Sequence, residues 1–248
     1  MPQSKPRLRG KKQSRNGIYP IGEFPRSLIH EVARRLVYLY AVGRTDLSGN
    51  DWASCFAGAV GGETSASNLD TCDVSFQNCA WSAKTVKAPV PSQSSHVRLI
   101  SGRNSPTYSR DIDDPFKSKS ATGRAVLEIW NERVNRVLSA YEDFRLVVLV
   151  RNFNTLQFAM FETEITRFVP ADYKWEINDR RNFEGYDAST GQHCFVWQPH
   201  GGQFTIIRNL PASAQFYEIK RPPVMDIDDV VKNIGFNASW VKTGSQTS

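Results

Sequence analysis

Apolar positions change their period along this chain, from helical in the first half to strand-like in the second. In FPRSLIHEVARRLVYLYAVG, Leu28, Ile29, Val32, Ala33, Leu36 and Val37 recur three or four residues apart while Arg34 and Arg35 fall off the stripe, which predicts a helix from about Pro25 to Ala41. A second, short helix is expected over about Asn50 to Val60, with Gly61 and Gly62 ending it. A long one is expected in ATGRAVLEIWNERVNRVLSAYED, where Val126, Leu127, Trp130, Val134, Val137 and Leu138 form the stripe. It runs into FRLVVLV, residues 144 to 150, an unbroken apolar run suited to a strand covered on both faces.

Alternation marks the other strands. Cys72 to Phe76 and Ala80 to Lys87 read as a pair joined by a turn at Gln77 and Asn78. Later strands are expected at Gln157 to Phe168, Lys174 to Ile177, Cys194 to Trp197, Gln203 to Ile207 and Gln215 to Ile219. Residues 88 to 122, rich in Pro, Ser, Gly, Asp and Arg, read as a long excursion with no clear apolar period. The implied fold class is α/β (α+β-like), a mixed central sheet flanked by helices.

Charge adds an organising feature. Lys5, Arg7, Arg9, Lys11, Lys12 and Arg15 precede the first acidic residue, Glu23, and by themselves account for the net charge of +6, so the body of the chain is not broadly basic. Residues 1–16 are therefore expected to be a flexible basic arm and 17–248 a single domain with a long insertion near 88–122. Cys55, Cys72, Cys79 and Cys194 form no CxxC pair, and no secretory leader or long apolar run is evident; reduced thiols and a cytoplasmic setting are expected. His193, Cys194 and His200 match no common zinc spacing, and GxGxxG, GxxxxGK[ST] and GxSxG are absent, which leaves little support for nicotinamide or nucleotide-driven chemistry.

The strongest chemical pattern lies in LDTCDVSFQNCAWSAKTVK, residues 69 to 87. If the two strands pair, alternation sends Asp73 and Lys84 to one side of the sheet. An oxygen-ligated metal beside an ammonium group suits phosphodiester hydrolysis, because Mg²⁺ takes one or two carboxylates, keeps several waters and neutralises phosphoryl charge. The bland alternative is a turn-capping aspartate and a solvated surface lysine.

In these residues the chain resembles the PD-(D/E)xK nuclease superfamily, particularly the type II restriction endonucleases. Cys72-Asp73 matches the P-D position, with cysteine in place of proline, and Ser82-Ala83-Lys84 the D/E-x-K position, with a hydroxyl in place of the second carboxylate. The resemblance implies a restriction-endonuclease-like sheet and Mg²⁺ held by Asp73. Asp73, Lys84, Ser82 and Glu31 would then be the catalytic residues. Glu31 on the first helix would supply the missing oxygen, with Asp70 and Glu63 as further candidate ligands. It also implies a prokaryotic homodimer that cuts both strands of duplex DNA and leaves 5′-phosphate ends.

For the DNA itself, Asn178, Arg180, Arg181 and Asn182 form a mix suited to base edges, since Arg bridges guanine acceptors and Asn pairs with adenine. Arg98, Arg103, Arg110, Lys117 and Lys119 in the excursion are candidate DNA contacts, although Asp111, Asp113 and Asp114 beside them argue against a simple phosphate clamp. The alternatives are a non-catalytic DNA-binding protein in which Ser82 marks a lost ligand, and a nuclease acting on branched or damaged DNA.

Overall fold

A computed structural model describes residues 19–65, 71–242 and 244; the basic arm and Asp70 lie outside the described residues. The first helix, α1 (Arg26–Ala41), is followed by α2 (Gly49–Val60). Two short strands, β1 (Glu63–Thr64) and β2 (Val74–Phe76), then lead to the long β3 (Cys79–Lys87). The excursion holds β4 (His96–Arg103) and α3 (Pro106–Arg110) before the long helix α4 (Lys119–Ala140). Strands β5 (Asp143–Asn152), β6 (Gln157–Glu164), β7 (Tyr173–Ile177), β8 (Phe183–Asp187), β9 (His193–Gln198), β10 (Gln203–Asn209) and β11 (Gln215–Glu218) follow, and α5 (Ile227–Asn233) comes last. None of the described helices is long and apolar enough to cross a membrane.

The described strands form two sheets, the expected mixed central one and a second that the sequence did not announce. The first has the order β1-β2-β3-β5-β6-β11, in which β3 and β5 are parallel and every other neighbour antiparallel. The second is antiparallel in the order β4-β10-β9-β8-β7. A mixed α/β architecture with a helix-flanked central sheet thus holds. The excursion, however, is not featureless, because it supplies an edge strand of the second sheet.

Strand β5 shows how the layers are assembled. Phe144, Leu146, Val148 and Val150 point to one core, with Val126, Trp130 and Val134 of α4 and with Phe183, Phe195 and Phe204 of the second sheet. Val147 and Leu149 point to the other, with Val32 and Leu36 of α1 and Trp52 and Phe56 of α2. Both faces of the strand are covered, as its unbroken apolar run requires. Helix α4 therefore sits between the two sheets, and α1 and α2 cover the far side of the first.

Its fit to the second sheet is tight at Gly123, where an added Cβ would collide with the indole of the buried Trp175. Gly123→Ala is expected to cost about 1–3 kcal/mol despite the better helix propensity of alanine, because overpacking against a fixed ring outweighs the backbone gain. Urea unfolding of the variant measures it, and an unchanged or raised stability would refute this account of the packing.

Candidate functional site

A short strand beside a long one creates the site. Gln77 adopts a left-handed φ of 52° in the tight connection between β2 and β3, and the carbonyl of Asn78 accepts from Glu142 N (2.9 Å) and Asp143 N (3.2 Å), which fastens the turn to the start of β5. Strand β2 pairs with β3 only at Cys79, Ala80 and Trp81. Beyond Trp81 this edge of β3 has no strand neighbour among the described residues.

Asp73 occupies that gap. One oxygen, Oδ2, accepts from Ala83 N (2.8 Å), Lys84 Nζ (2.9 Å) and Ser82 Oγ (3.2 Å). The side chain thus takes over a backbone donor that a longer β2 would have satisfied. The other oxygen, Oδ1, has no hydrogen bond among the described residues. Asp73 and Lys84 stay reachable, with side chains 31% and 25% exposed, whereas Ser82 is buried.

The pair opens into a cleft of about 410 Å³ between β3, the start of α2 and strand β4. Asn50 of α2 and Arg98 of β4 line it with Asp73, Lys84, Thr85 and Arg151. Ser48 caps α2 by accepting from Asp51 N (3.1 Å), while the Asp51 carboxylate accepts from Ser48 N (2.9 Å), so the helix start that carries Asn50 is firmly set.

Arg151 fixes the cleft floor. It is buried and donates to both carboxylate oxygens of Asp46 (3.0 and 3.2 Å), to Leu47 O (2.6 Å) and to Thr85 Oγ1 (3.0 Å); Lys87 Nζ also lies 2.8 Å from Asp46. Burial opposes ionisation of Asp46, but the hydrogen bonds from Lys87 and Arg151 outweigh it and bring the carboxyl down to about 2. A carboxyl whose pKa is lower folded than unfolded adds stability above its unfolded value, and that contribution is lost as pH falls through the folded one. Wild-type stability is therefore expected to decline between about pH 4 and pH 2 more steeply than that of Asp46→Asn. Denaturant titrations at stepped pH measure the difference, and parallel profiles would remove Asp46 as a source of the pH dependence.

Not all the residues expected to act together share this cleft. Glu31 on α1 accepts from Arg34 (2.8 Å), whose hydrogen bond lowers its carboxyl pKa, and lines a different cavity of about 320 Å³ with Leu28, Phe76 and Trp81. The reason lies in the sheet: α1 packs on the face of β3 that carries Cys79, Trp81 and Ala83, while alternation sends Ser82 and Lys84 to the opposite face. Glu63 sits exposed in β1. Among the described residues, no group of three His, Cys, Asp or Glu side chains is placed to hold a metal ion.

The proposed base-reading cluster forms the β7–β8 turn. Asn178 Oδ1 accepts from Arg180 N and Asn182 N (both 3.0 Å) and its amide donates to Glu184 (2.8 Å), so both ends of the side chain serve the turn. Arg181 has φ of 58° and lies over the ring of Phe116 at 4.3 Å, whereas Arg180 is exposed. Arg103 ends β4, its carbonyl accepting from Arg133, and Lys117 is exposed just before α4.

Sequence reasoning passed over Asn50 and named Arg98 as a DNA contact of the excursion without its strand or its place beside Asp73. Signals for both were present. Ser48-Gly49-Asn50-Asp51 is a helix-start pattern, and His96-Val97-Arg98-Leu99 alternates polar with apolar before Ile100 interrupts it. No protein-family model, curated protein or solved structure matches the chain.

Proposed function

We propose that this chain is a Mg²⁺-dependent, restriction-endonuclease-like enzyme that hydrolyses phosphodiesters in both strands of duplex DNA. One observation carries the reading: Asp73 and Lys84 meet at 2.9 Å at the mouth of a cleft whose other charged lining residues, among the described residues, are arginines. The path β1-β2-β3, then α4, then β5 parallel to β3, supports the same reading, since it supplies the helix-crossed sheet that the resemblance implies.

The donor set fits a cation held jointly with substrate. Asp73 has one oxygen without a hydrogen bond to any described residue, and Mg²⁺ commonly takes one or two carboxylates together with substrate phosphate oxygens and water. Asp73 would hold the ion, with the Asn50 carboxamide as a neutral oxygen in the same cleft. Bound there, the metal supplies neutralisation of phosphoryl charge and a more acidic water.

The chain's own groups do the positioning. Lys84 presents an ammonium beside the attacked phosphorus, where it orients water and offsets the charge that builds on the non-bridging oxygens. Ser82 and Ala83 N hold the Asp73 carboxylate in one rotamer through their hydrogen bonds to Oδ2. Water adds to phosphorus, the bond to the 3′ oxygen breaks, and that oxygen takes up a proton, leaving a 5′-phosphate and a 3′-hydroxyl. A homodimer would place one such cleft on each strand.

A second reading is favoured by Ser82, whose neutral hydroxyl stands where a second carboxylate is customary and leaves Asp73 the sole carboxylate lining the cleft among the described residues. A non-catalytic DNA-binding protein would have this composition. Plasmid DNA incubated with the full-length chain separates the two. Discrete fragments with Mg²⁺ and none with EDTA support the enzyme, whereas an intact but retarded plasmid under both conditions overturns it in favour of the binding protein. Mapping the ends tests sequence specificity, since cuts that follow branches or lesions would point to a structure-specific nuclease.

A further inference from the structure

Of the three cations that line the cleft among the described residues, two already have a carboxylate. Lys84 is paired with Asp73, and Arg151 with Asp46. Arg98 makes no ion pair among the described residues. Its charge is felt by Glu184, whose own oxygens are engaged by the Tyr186 hydroxyl (2.6 Å) and the Asn178 amide (2.8 Å).

Arg98 is also displayed for contact. Along β4, Val97 and Leu99 turn into the core while His96, Arg98 and Ile100 are exposed. The strand is an edge of the second sheet with no further strand paired to it among the described residues, and Arg98, Leu99 and Ile100 line the cleft.

We infer that Arg98 is the phosphate-anchoring residue of this cleft: its guanidinium grips a backbone phosphate of the bound nucleic acid and sets the neighbouring phosphodiester against the Asp73–Lys84 pair. This rests on the nuclease reading and deepens it, because it makes the second sheet a substrate platform rather than a packing layer. A guanidinium fork matches two phosphate oxygens at once, which a single ammonium does not. Arg98 positions the substrate and takes no part in the bond changes.

The test is DNA affinity as a function of salt, measured by anisotropy with the full-length chain, a labelled random-sequence duplex and EDTA to prevent cutting. Each phosphate neutralised contributes about −0.9 to the slope of log K against log salt. Arg98→Ala is expected to make the slope shallower by about one and to weaken binding roughly tenfold at fixed salt. Arg98→Lys is expected to keep the slope and recover only part of the affinity, since it restores the charge without the fork. If the wild-type chain shows no salt-dependent affinity, the nuclease reading falls and this inference with it. If the wild type binds and Arg98→Ala leaves the slope unchanged, or Arg98→Lys flattens it equally, the anchoring role alone is overturned.

Discussion

Alanine at Asp73 or Lys84 is expected to reduce metal-dependent cleavage by at least about a hundredfold while leaving DNA affinity within a few fold. Under the proposed function both groups act on the reacting phosphate and little on the rest of the duplex, so the loss falls on the chemical step. The fold should tolerate either change. Both side chains are partly solvated, and an ion pair of that exposure contributes about 1 kcal/mol or less. Asp73→Ala removes more than Lys84→Ala, because Ala83 N and Ser82 Oγ lose their acceptor as well as the cation its partner. Single-turnover cleavage beside a binding titration provides the measurement. Wild-type rates in both variants would eliminate this site.

The largest stability effect is expected at Glu162, well away from the cleft. Its carboxylate is fully buried and accepts from Trp81 Nε1 (2.6 Å), Tyr19 Oη (3.0 Å), Gly22 N (3.1 Å) and Arg145 Nη1 (3.2 Å). Burial and the neighbouring carboxylate push the Tyr19 phenol well above its usual pKa, so its hydroxyl remains a donor at every working pH. Arg145 in turn donates to Tyr19 O (3.0 Å) and lies 3.3 Å from Asp143. The network joins the segment before α1 to three strands of the first sheet. Glu162→Ala leaves the Arg145 guanidinium buried without its main counter-charge, and an orphaned charge of this kind costs about 3–5 kcal/mol. Replacing both partners with apolar residues should cost less than the two single changes summed, because no charge is then left stranded. Urea unfolding of the two single variants and the double one tests this; full additivity would mean that the pair is not coupled.

Much of this protein was written in short-range pattern. The stripe through Leu28, Val32 and Leu36 fixed the buried face of α1, and the run from Phe144 to Val150 marked a strand with no solvent side. Asp73 and Lys84 could be brought together on paper because they belong to one hairpin, whose register follows from its turn and from strict alternation.

Tertiary structure decided what no local pattern encodes. Periodicity says which face of an element is buried but not against what, so the division into two sheets, the pairing of β4 with β10 and the place of α4 between the layers all depended on packing between segments distant in sequence. The same gap in information separated Glu31 from the Asp73 cleft and brought Asn50 and Arg98 to it. Helical phase put Glu31 beside the apolar stripe, yet only the choice of sheet face covered by α1 determined which side chains it would meet, and that choice is made by the shape and volume of the whole core.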